Sequence, residues 1–316
     1  MPLAAPARSQ IGSVRQNPFI QSPLLTYLRC RFRSRGATVL RFVDGSSLEV
    51  PRPRDLRNVL RLLWSGELKD VRAEDGLLHF RYRNHQLALR PTACDDFIFQ
   101  EVVVDGAYRP ALDRAEGSLG TVVDLGANIG LFAQEVGCRA ERLLLIEPDP
   151  DNGAVLGRNV TLAGLDDRAT VLPCAVAGET GEVSFYRSVK SVCHSASKQF
   201  VESYGAVLEE LRVPALSLAR LFDEHHVERC GLLKCDIEGG EYDVFEAAAP
   251  DVLARIDSIV MEAHIAPPDY PQERFTRLVS QLRAAGFTVV HTQLCSDRER
   301  FNVMLQARRA HTTRVS

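Results

Sequence analysis

Residues 122–130 read VVDLGANIG, an apolar run that ends in a turn rich in glycine. Leu143–Ile146 is a second apolar run, and Glu147 follows it directly. Glycine at a strand-to-helix turn permits a positive φ and lets the backbone approach a ligand closely. The N–H groups of the next helix attract electron-rich groups. The spacing predicts a βαβ unit that binds a nucleoside-type ligand at its first turn, with Glu147 placed to accept both ribose hydroxyls.

From this unit onward, apolar runs alternate with helical patterns. We predict strands at 121–125, 143–146, 169–176, 182–187, 231–237, 257–264, 287–295 and 300–308, and helices at 130–139, 151–163, 241–254 and 272–285. Buried strands that alternate with helices form a parallel sheet covered on both faces. The last two strands are joined by a short turn and should pair antiparallel. The predicted fold class is α/β, with a ligand site at the carboxyl ends of the strands.

Three regions are distinguished along the chain. Residues 1–35 contain six arginines and no Asp, Glu or Lys, and we interpret them as a basic flexible arm. A transit peptide and a contact with an anionic partner are the alternatives. Residues 36–96 form a small mixed α/β lead-in, with a hairpin turn at Asp44-Gly45 and a helix at 54–64. Residues 97–316 form the domain that contains the sheet.

Composition excludes several classes of protein. The 316 residues include 25% charged side chains and carry a net charge of −3, which argues against a dedicated nucleic-acid binder. The chain has no stretch of about 18 consecutive apolar residues, so we predict no membrane-spanning helix. The eight cysteines form no C-x-x-C pair and match no zinc template, so we expect reduced thiols and a cytoplasmic protein.

The glycine turn discriminates between two nucleoside ligands. A dinucleotide site favours G-x-G-x-x-G, but here Asn128 stands between Gly126 and Gly130 and the third glycine is missing. Asp124 adds a carboxylate that would repel a pyrophosphate and attract the ammonium and sulfonium groups of S-adenosylmethionine. We therefore favour S-adenosylmethionine, with an NAD-dependent oxidoreductase as an alternative. The predicted cofactor-binding residues are Asp124, Gly126, Asn128, Gly130, Glu147, Pro148 and Asp236.

Three stretches together resemble the FkbM-type class I S-adenosylmethionine-dependent methyltransferases. They are VVDLGANIG at 122–130, Glu147-Pro148, and LKCDIEGGE at 233–241, and the resemblance extends over about residues 97–308. It implies a Rossmann-like sheet of seven strands with a terminal antiparallel pair. It also implies methyl transfer to a hydroxyl of a sugar, glycan or natural product. The residues we assign to acceptor binding are Tyr108, at a position where the family often has tyrosine, His194 and Glu241.

Two acidic strand ends supply the candidate catalytic residues. Residues two apart share a face of a strand, so Asp236 and Glu238 should converge with Glu262 and His264 if their strands are neighbours. We favour His264 as the general base because an unperturbed histidine titrates near neutral pH, and we place Asp236 nearer the donor's methyl group. A divalent cation such as magnesium or calcium is an alternative use of the cluster that nothing in the spacing requires.

Other functions remain open at this point. A nucleic-acid methyltransferase guided by the arginine-rich arm is one alternative, although the acidic run at 236–241 would repel phosphate. A non-catalytic binding protein is another, because the fold alone does not guarantee chemistry. The segment 188–212 should shape the acceptor pocket. The sequence predicts neither the acceptor nor the oligomeric state.

Overall fold

The computed structural model describes residues 17–22, 26, 36–63, 67–115, 117–188, 194–266, 270–294 and 301–309. The chain forms two compact units, Met1–Gln100 and Glu101–Ser316. Most of the predicted basic arm at 1–35 lies outside the described residues. Within the described part, no helix is long and apolar enough to cross a lipid bilayer.

The first unit combines two small antiparallel sheets with helices. Its elements are β1 (Thr38–Arg41), β2 (Ser47–Val50), α1 (Pro53–Leu63), β3 (Leu68–Glu74), β4 (Leu77–Tyr82), β5 (His85–Leu89) and α2 (Asp95–Phe99). Strands β1 and β2 form the hairpin predicted at Asp44-Gly45. Leu78, Phe80 and Tyr82 of β4 are buried, whereas β3 was not predicted.

The second unit begins within a π-helical turn at Gln100–Val104. Its strands are β6 (Gly120–Leu125), β7 (Ala140–Ile146), β8 (Ala169–Leu172), β9 (Ala175–Val176), β10 (Gly181–Ser188), β11 (Val207–Leu216), β12 (Leu232–Cys235), β13 (Ser258–Ile265), β14 (Phe287–Gln293) and β15 (Phe301–Arg309). Its helices are α3 (Arg109–Leu112), α4 (Leu131–Val136), α5 (Pro150–Leu162), α6 (Lys198–Tyr204), α7 (Leu218–Glu224), α8 (Glu241–Ala247), α9 (Pro250–Ala254) and α10 (Gln272–Ala284).

Seven strands form the main sheet in the order β14-β15-β13-β12-β6-β7-β8. Strand β15 runs antiparallel to both β13 and β14. The other neighbouring pairs, β13-β12, β12-β6, β6-β7 and β7-β8, are parallel. The predicted α/β fold and its terminal antiparallel pair are confirmed. Strand β12 lies directly beside β13. The two acidic strand ends are therefore neighbours, as the predicted convergence of their side chains requires.

Proline divides two elements that were predicted to be continuous. The strand expected at 169–176 ends at Leu172 before Pro173, which has no N–H to donate, and β9 then joins a separate sheet of order β10-β11-β9. The helix expected at 241–254 ends at Ala247, because Ala248 and Ala249 are extended and Pro250 begins a new helix. Strand β11 and helix α6 lie within or just beyond 188–212 and were missed, because β11 is largely exposed and lacks an apolar alternation.

Candidate active site

The glycine turn packs directly against the end of β12. Gly126 and Gly130 have φ of +78° and +82°, and Asn128 has φ of +50°. A Cβ added at Gly126 would lie 2.0 Å from the carbonyl oxygen of Asp236, so glycine is required there. The turn is also held by Lys234, whose Nζ donates to the carbonyl of Gly126 at 2.6 Å. The backbone at the predicted cofactor turn therefore directly adjoins the acidic run.

Glu147 connects this turn to the start of α5. Its Oε2 accepts from the backbone N–H of Asn128 at 2.8 Å, and its Oε1 accepts from that of Asp149 at 2.9 Å. Burial raises the pKa of Glu147 to about 7, against the opposing effect of these N–H groups. An ionised carboxylate offers about four acceptor positions, so acceptor capacity remains for a ribose hydroxyl. Pro148 follows at a half-buried position.

Asp124, which we predicted to bind the cofactor, lies buried in the sheet. It is fully buried, and the Nζ of Lys234 lies 3.1 Å from its Oδ1. Burial raises the pKa of Asp124, and Lys234 opposes that effect. Burial lowers the pKa of Lys234, but Asp124 and Asp236 more than compensate and raise it above its ordinary value. The attraction for a cationic donor that we expected from Asp124 is thus largely neutralised by Lys234.

Asp236 is the carboxylate that remains available beside the glycine turn. The hydroxyl of Tyr108 donates to its Oδ2 at 3.0 Å. Its Oδ1 is buried and has no hydrogen-bond partner among the described residues. A buried acceptor without a partner is costly, and an ammonium or sulfonium group would satisfy it electrostatically. The ring of Tyr108 packs edge-on against Phe132, with centroids 5.2 Å apart, which holds this tyrosine beside Asp236.

The ends of β12 and β13 bring the predicted catalytic residues together. Nε2 of His264 lies 3.4 Å from Oε2 of Glu238 and 3.8 Å from Oε1 of Glu262. Both distances exceed a good hydrogen bond. Glu262 is held by Asn302, whose Nδ2 donates to Oε1 at 2.5 Å. The side chain of Glu238 is 24% exposed, so this cluster has an open side.

The environment of His264 differs from the one we expected. Burial lowers the pKa of His264, but the carboxylates of Glu238, Glu241 and Glu262 outweigh burial and raise it well above the ordinary value. Burial raises the pKa of Glu238, and His264 opposes that rise. The expectation that His264 titrates near neutral pH is therefore wrong. The three carboxylates favour the protonated form of His264.

Two predicted acceptor-binding residues occupy unexpected places. Glu241 is fully buried, and its Oε1 lies 2.9 Å from Nδ1 of His264. Nδ1 of His194 lies 3.1 Å from Oδ2 of Asp149, which places this histidine beside the end of β7. The next residue, Ser195, donates from its hydroxyl to the carbonyl of Glu238 at 2.6 Å.

Two members of this site, Glu101 and Asp149, were not predicted from the sequence. Glu101 lies on the π-helical turn, and burial, followed by the charges of Glu262 and Asp236, raises its pKa to about 7. Asp149 caps α5 through Asp151 and Asn152. Burial alone would raise the pKa of Asp149, but His194 and the other polar partners lower it to about 2. The position of Asp149 at the start of a predicted helix could have indicated a capping residue. No local sequence pattern indicates a role for Glu101.

The predicted cation alternative has a matching donor set. Ligand atoms of Asp236, Glu238 and His264 all lie within 4.8 Å of one another, the one such group found in the part of the chain described. Oxygen and imidazole donors of this kind suit divalent cations. The same spacing also fits a cluster neutralised by the proton on the histidine.

The chain is similar to proteins of known family. A family model described as "Methyltransferase FkbM domain" matches residues 124–289. The antimetabolite synthetase AmbE of Pseudomonas aeruginosa is 25% identical over 243 residues, which cover 66% of this chain but 11% of AmbE. The chain therefore matches about a tenth of the length of that curated relative.

Three similar solved structures have TM-scores between 0.42 and 0.44. Methyltransferase FkbM from Methylobacillus flagellatus KT is 17% identical, covers 62% of this chain and 45% of its own, and has a TM-score of 0.43. The putative transferase PH0793 from Pyrococcus horikoshii is 12% identical. The match covers 91% of this chain and 98% of PH0793, with a TM-score of 0.44. TYW2 of M. jannaschii in complex with AdoMet is 11% identical, with 75% and 89% covered and a TM-score of 0.42.

Proposed function

The chain belongs to the FkbM methyltransferase family, and from that membership we propose an S-adenosylmethionine-dependent O-methyltransferase that acts on a hydroxyl of a sugar, glycan or natural product. The observation that carries the proposal is the contact between two parts of the site. A Cβ at Gly126 would lie 2.0 Å from the Asp236 carbonyl, so a donor at the glycine turn adjoins the acidic run.

The residues around the turn fit S-adenosylmethionine. Glu147 accepts a ribose hydroxyl with its remaining acceptor capacity, while Gly126, Asn128 and Gly130 shape the backbone around the nucleoside. Asp236 presents the unpartnered Oδ1 to the cationic end of the donor. When bound, S-adenosylmethionine supplies an electrophilic methyl carbon on a sulfonium sulfur. Asp124 acts indirectly, because it holds Lys234 on the carbonyl of Gly126.

The acceptor hydroxyl would lie at the open side of the cluster formed by Glu238, Glu262 and His264. An alcohol becomes a better nucleophile when a positioned base takes its proton, which contributes about 10²–10⁴-fold to a rate. Nε2 of His264 and Oε2 of Glu238 are 3.4 Å apart, so a hydroxyl can contact both. We assign proton acceptance to this pair. We assign Tyr108 and Asp236 to alignment beside the donor, and His194 to the wall near Asp149.

The acidic character of the cluster favours a neutral, hydroxylated acceptor over a nucleic acid, since phosphates would be repelled. The name of AmbE makes that relative an antimetabolite synthetase, which agrees with a small biosynthetic acceptor here. A nucleic-acid methyltransferase and a non-catalytic binding protein are the outcomes against which the proposal is tested.

The first experiment is calorimetric titration of the purified chain with S-adenosylhomocysteine, with NAD as the matched control. We expect micromolar binding of S-adenosylhomocysteine alone. Transfer of a labelled methyl group from S-adenosylmethionine is then screened against glycosides, hydroxylated metabolites and RNA. Methylation of a hydroxylated small molecule supports the proposal. Methylation of RNA alone, or donor binding without transfer to any class, contradicts it.

A further inference from the structure

One oxygen of Glu241 contacts both the loop after β12 and His264 on β13. Its Oε1 accepts from the backbone N–H groups of Ile237 and Gly239, both at 3.2 Å, and lies 2.9 Å from Nδ1 of His264. The first two groups belong to the loop after β12, and the histidine belongs to β13. A single buried carboxylate oxygen therefore contacts both the loop and the histidine.

This contact determines which nitrogen of His264 carries hydrogen. An ionised carboxylate can only accept, so an ionised Glu241 at this distance requires hydrogen on Nδ1. In the neutral imidazole the other nitrogen, Nε2, then has a free lone pair. That lone pair points toward the side on which Glu238 and Glu262 lie, at 3.4 and 3.8 Å. The orientation is the one that proton acceptance from a bound hydroxyl requires.

The same carboxylate holds the loop that carries Glu238. Glu238 and Gly239 have φ of +55° and +101°, and a positive φ is uncommon for a residue other than glycine. Ser195 holds the carbonyl of Glu238 from the opposite direction. Without Glu241 the loop would lose two N–H contacts that help to keep Glu238 beside His264.

The burial of Glu241 is poorly explained by stability alone. The residue is fully buried, and its Oε2 has no hydrogen-bond partner among the described residues. A buried charge with one oxygen unsatisfied is costly, and buried groups left unpaired in native proteins call for an explanation. A role in orienting a reactive histidine explains why a carboxylate stands here.

We propose that Glu241 is a positioning residue that holds His264 with its Nε2 directed at the acceptor and keeps Glu238 beside it. The proposal rests on the proposed function only in treating His264 and Glu238 as the proton acceptors. Glu241 itself contacts no acceptor, in contrast to its assignment from sequence.

The test compares Glu241→Gln with the matched control Asp243→Asn in the full chain. Both changes remove one negative charge near the start of α8, but Asp243 pairs with Arg274 and not with His264. Histidine labelled with ¹⁵N reports the protonated ring nitrogen by NMR, at a pH where the ring is neutral, and His264→Gln assigns the signal. Calorimetry with S-adenosylhomocysteine checks the donor site in each variant.

In the unsubstituted protein we expect hydrogen on Nδ1 of His264. In Glu241→Gln the amide oxygen can still accept from Nδ1 but carries no charge. We therefore expect a weaker preference for hydrogen on Nδ1, a lower pKa of His264, and donor affinity within about threefold of the unsubstituted value. With an acceptor from the screen, kcat should fall by about 100-fold or more, while Asp243→Asn changes neither reading.

Hydrogen on Nε2 in the unsubstituted protein would overturn the proposal even if Glu241→Gln does not fold. An unchanged tautomer and pKa in Glu241→Gln would overturn it as well. Failure of the proposed function gives a different result. The tautomer would shift as expected, but no hydroxylated acceptor would be methylated.

Discussion

Oε2 of Glu147 accepts a hydrogen bond from the backbone N–H of Asn128 at 2.8 Å. The acid at the end of β7 therefore shapes the glycine turn, in addition to the ribose contact that we propose for it. We expect Glu147→Gln to weaken S-adenosylhomocysteine binding by about 10-fold or more, since hydrogen bonds to a charged group contribute about 1.5–3 kcal/mol. The matched control is Glu141→Gln, an exposed position on the same strand. Equal donor affinity in both variants would remove Glu147 from the donor site.

A second prediction concerns the tight contact at Gly126. Gly126→Ala adds a methyl group 2.0 Å from the Asp236 carbonyl, at a φ of +78°. The backbone must move, so we expect loss of donor binding together with a lower free energy of unfolding in urea. Gly153→Ala is the control, because it lies on α5 and a Cβ there meets nothing within 4 Å. That change should stabilise slightly, since alanine favours helix by about 1 kcal/mol over glycine. Normal donor binding by Gly126→Ala would show that the turn is not the donor site.

The pH profile of methyl transfer should report the pair of His264 and Glu238. The pKa of His264 is raised well above its usual value by three carboxylates. A base works only when deprotonated, so kcat should rise with pH and level off above the region where an ordinary histidine has titrated. In Glu238→Gln one of those carboxylates is absent, and the rise should move to lower pH. The profile is measured from initial rates at saturating substrates. A limiting pKa near 6.5 in the unsubstituted enzyme would contradict the assignment.

The buried pair of Lys234 and Asp124 makes a prediction about stability. Lys234→Met leaves Asp124 buried without a cation, and breaking such a pair costs about 3–5 kcal/mol. The raised pKa of Asp124 should rise further without Lys234. Because protonation removes the unpaired charge, the loss relative to the unsubstituted protein should be largest at neutral pH and shrink as pH falls. Urea unfolding at several pH values measures it.

The variant that combines Lys234→Met with Asp124→Asn is the control for this pair. It has no buried charge at either position, so it should recover part of the lost stability and show little of the pH dependence. A loss for Lys234→Met that is the same at every pH would mean that packing, and not charge, sets the cost.

A chelator distinguishes the two uses of the acidic cluster. Asp236, Glu238 and His264 have ligand atoms within 4.8 Å of one another, yet we expect unchanged methyl transfer after dialysis against EDTA, because the proton on the pair balances the charge. The control adds Mg²⁺ and Mn²⁺ separately to the dialysed enzyme. Activity that is lost on dialysis and restored by one cation would assign these residues to a metal.

Much of the fold follows from local pattern. The apolar runs at 122–125 and 143–146, the glycines between them and Glu147 after them predict a βαβ unit, because strand burial and turn geometry act over a few residues. The order of the small sheet was not predictable in this way. Pro173 ends one strand, and β11 is too exposed to show an alternation.

The sequence by itself determined which residues reach the carboxyl ends of the strands, since strand ends and face alternation depend on neighbouring residues alone. Only the tertiary structure decided what those residues do there. Lys234 neutralises Asp124 across two adjacent strands, and three carboxylates from separate elements raise the pKa of His264. Charge interactions and desolvation depend on distance in space and on burial. Neither distance in space nor burial can be derived from the local order of residues.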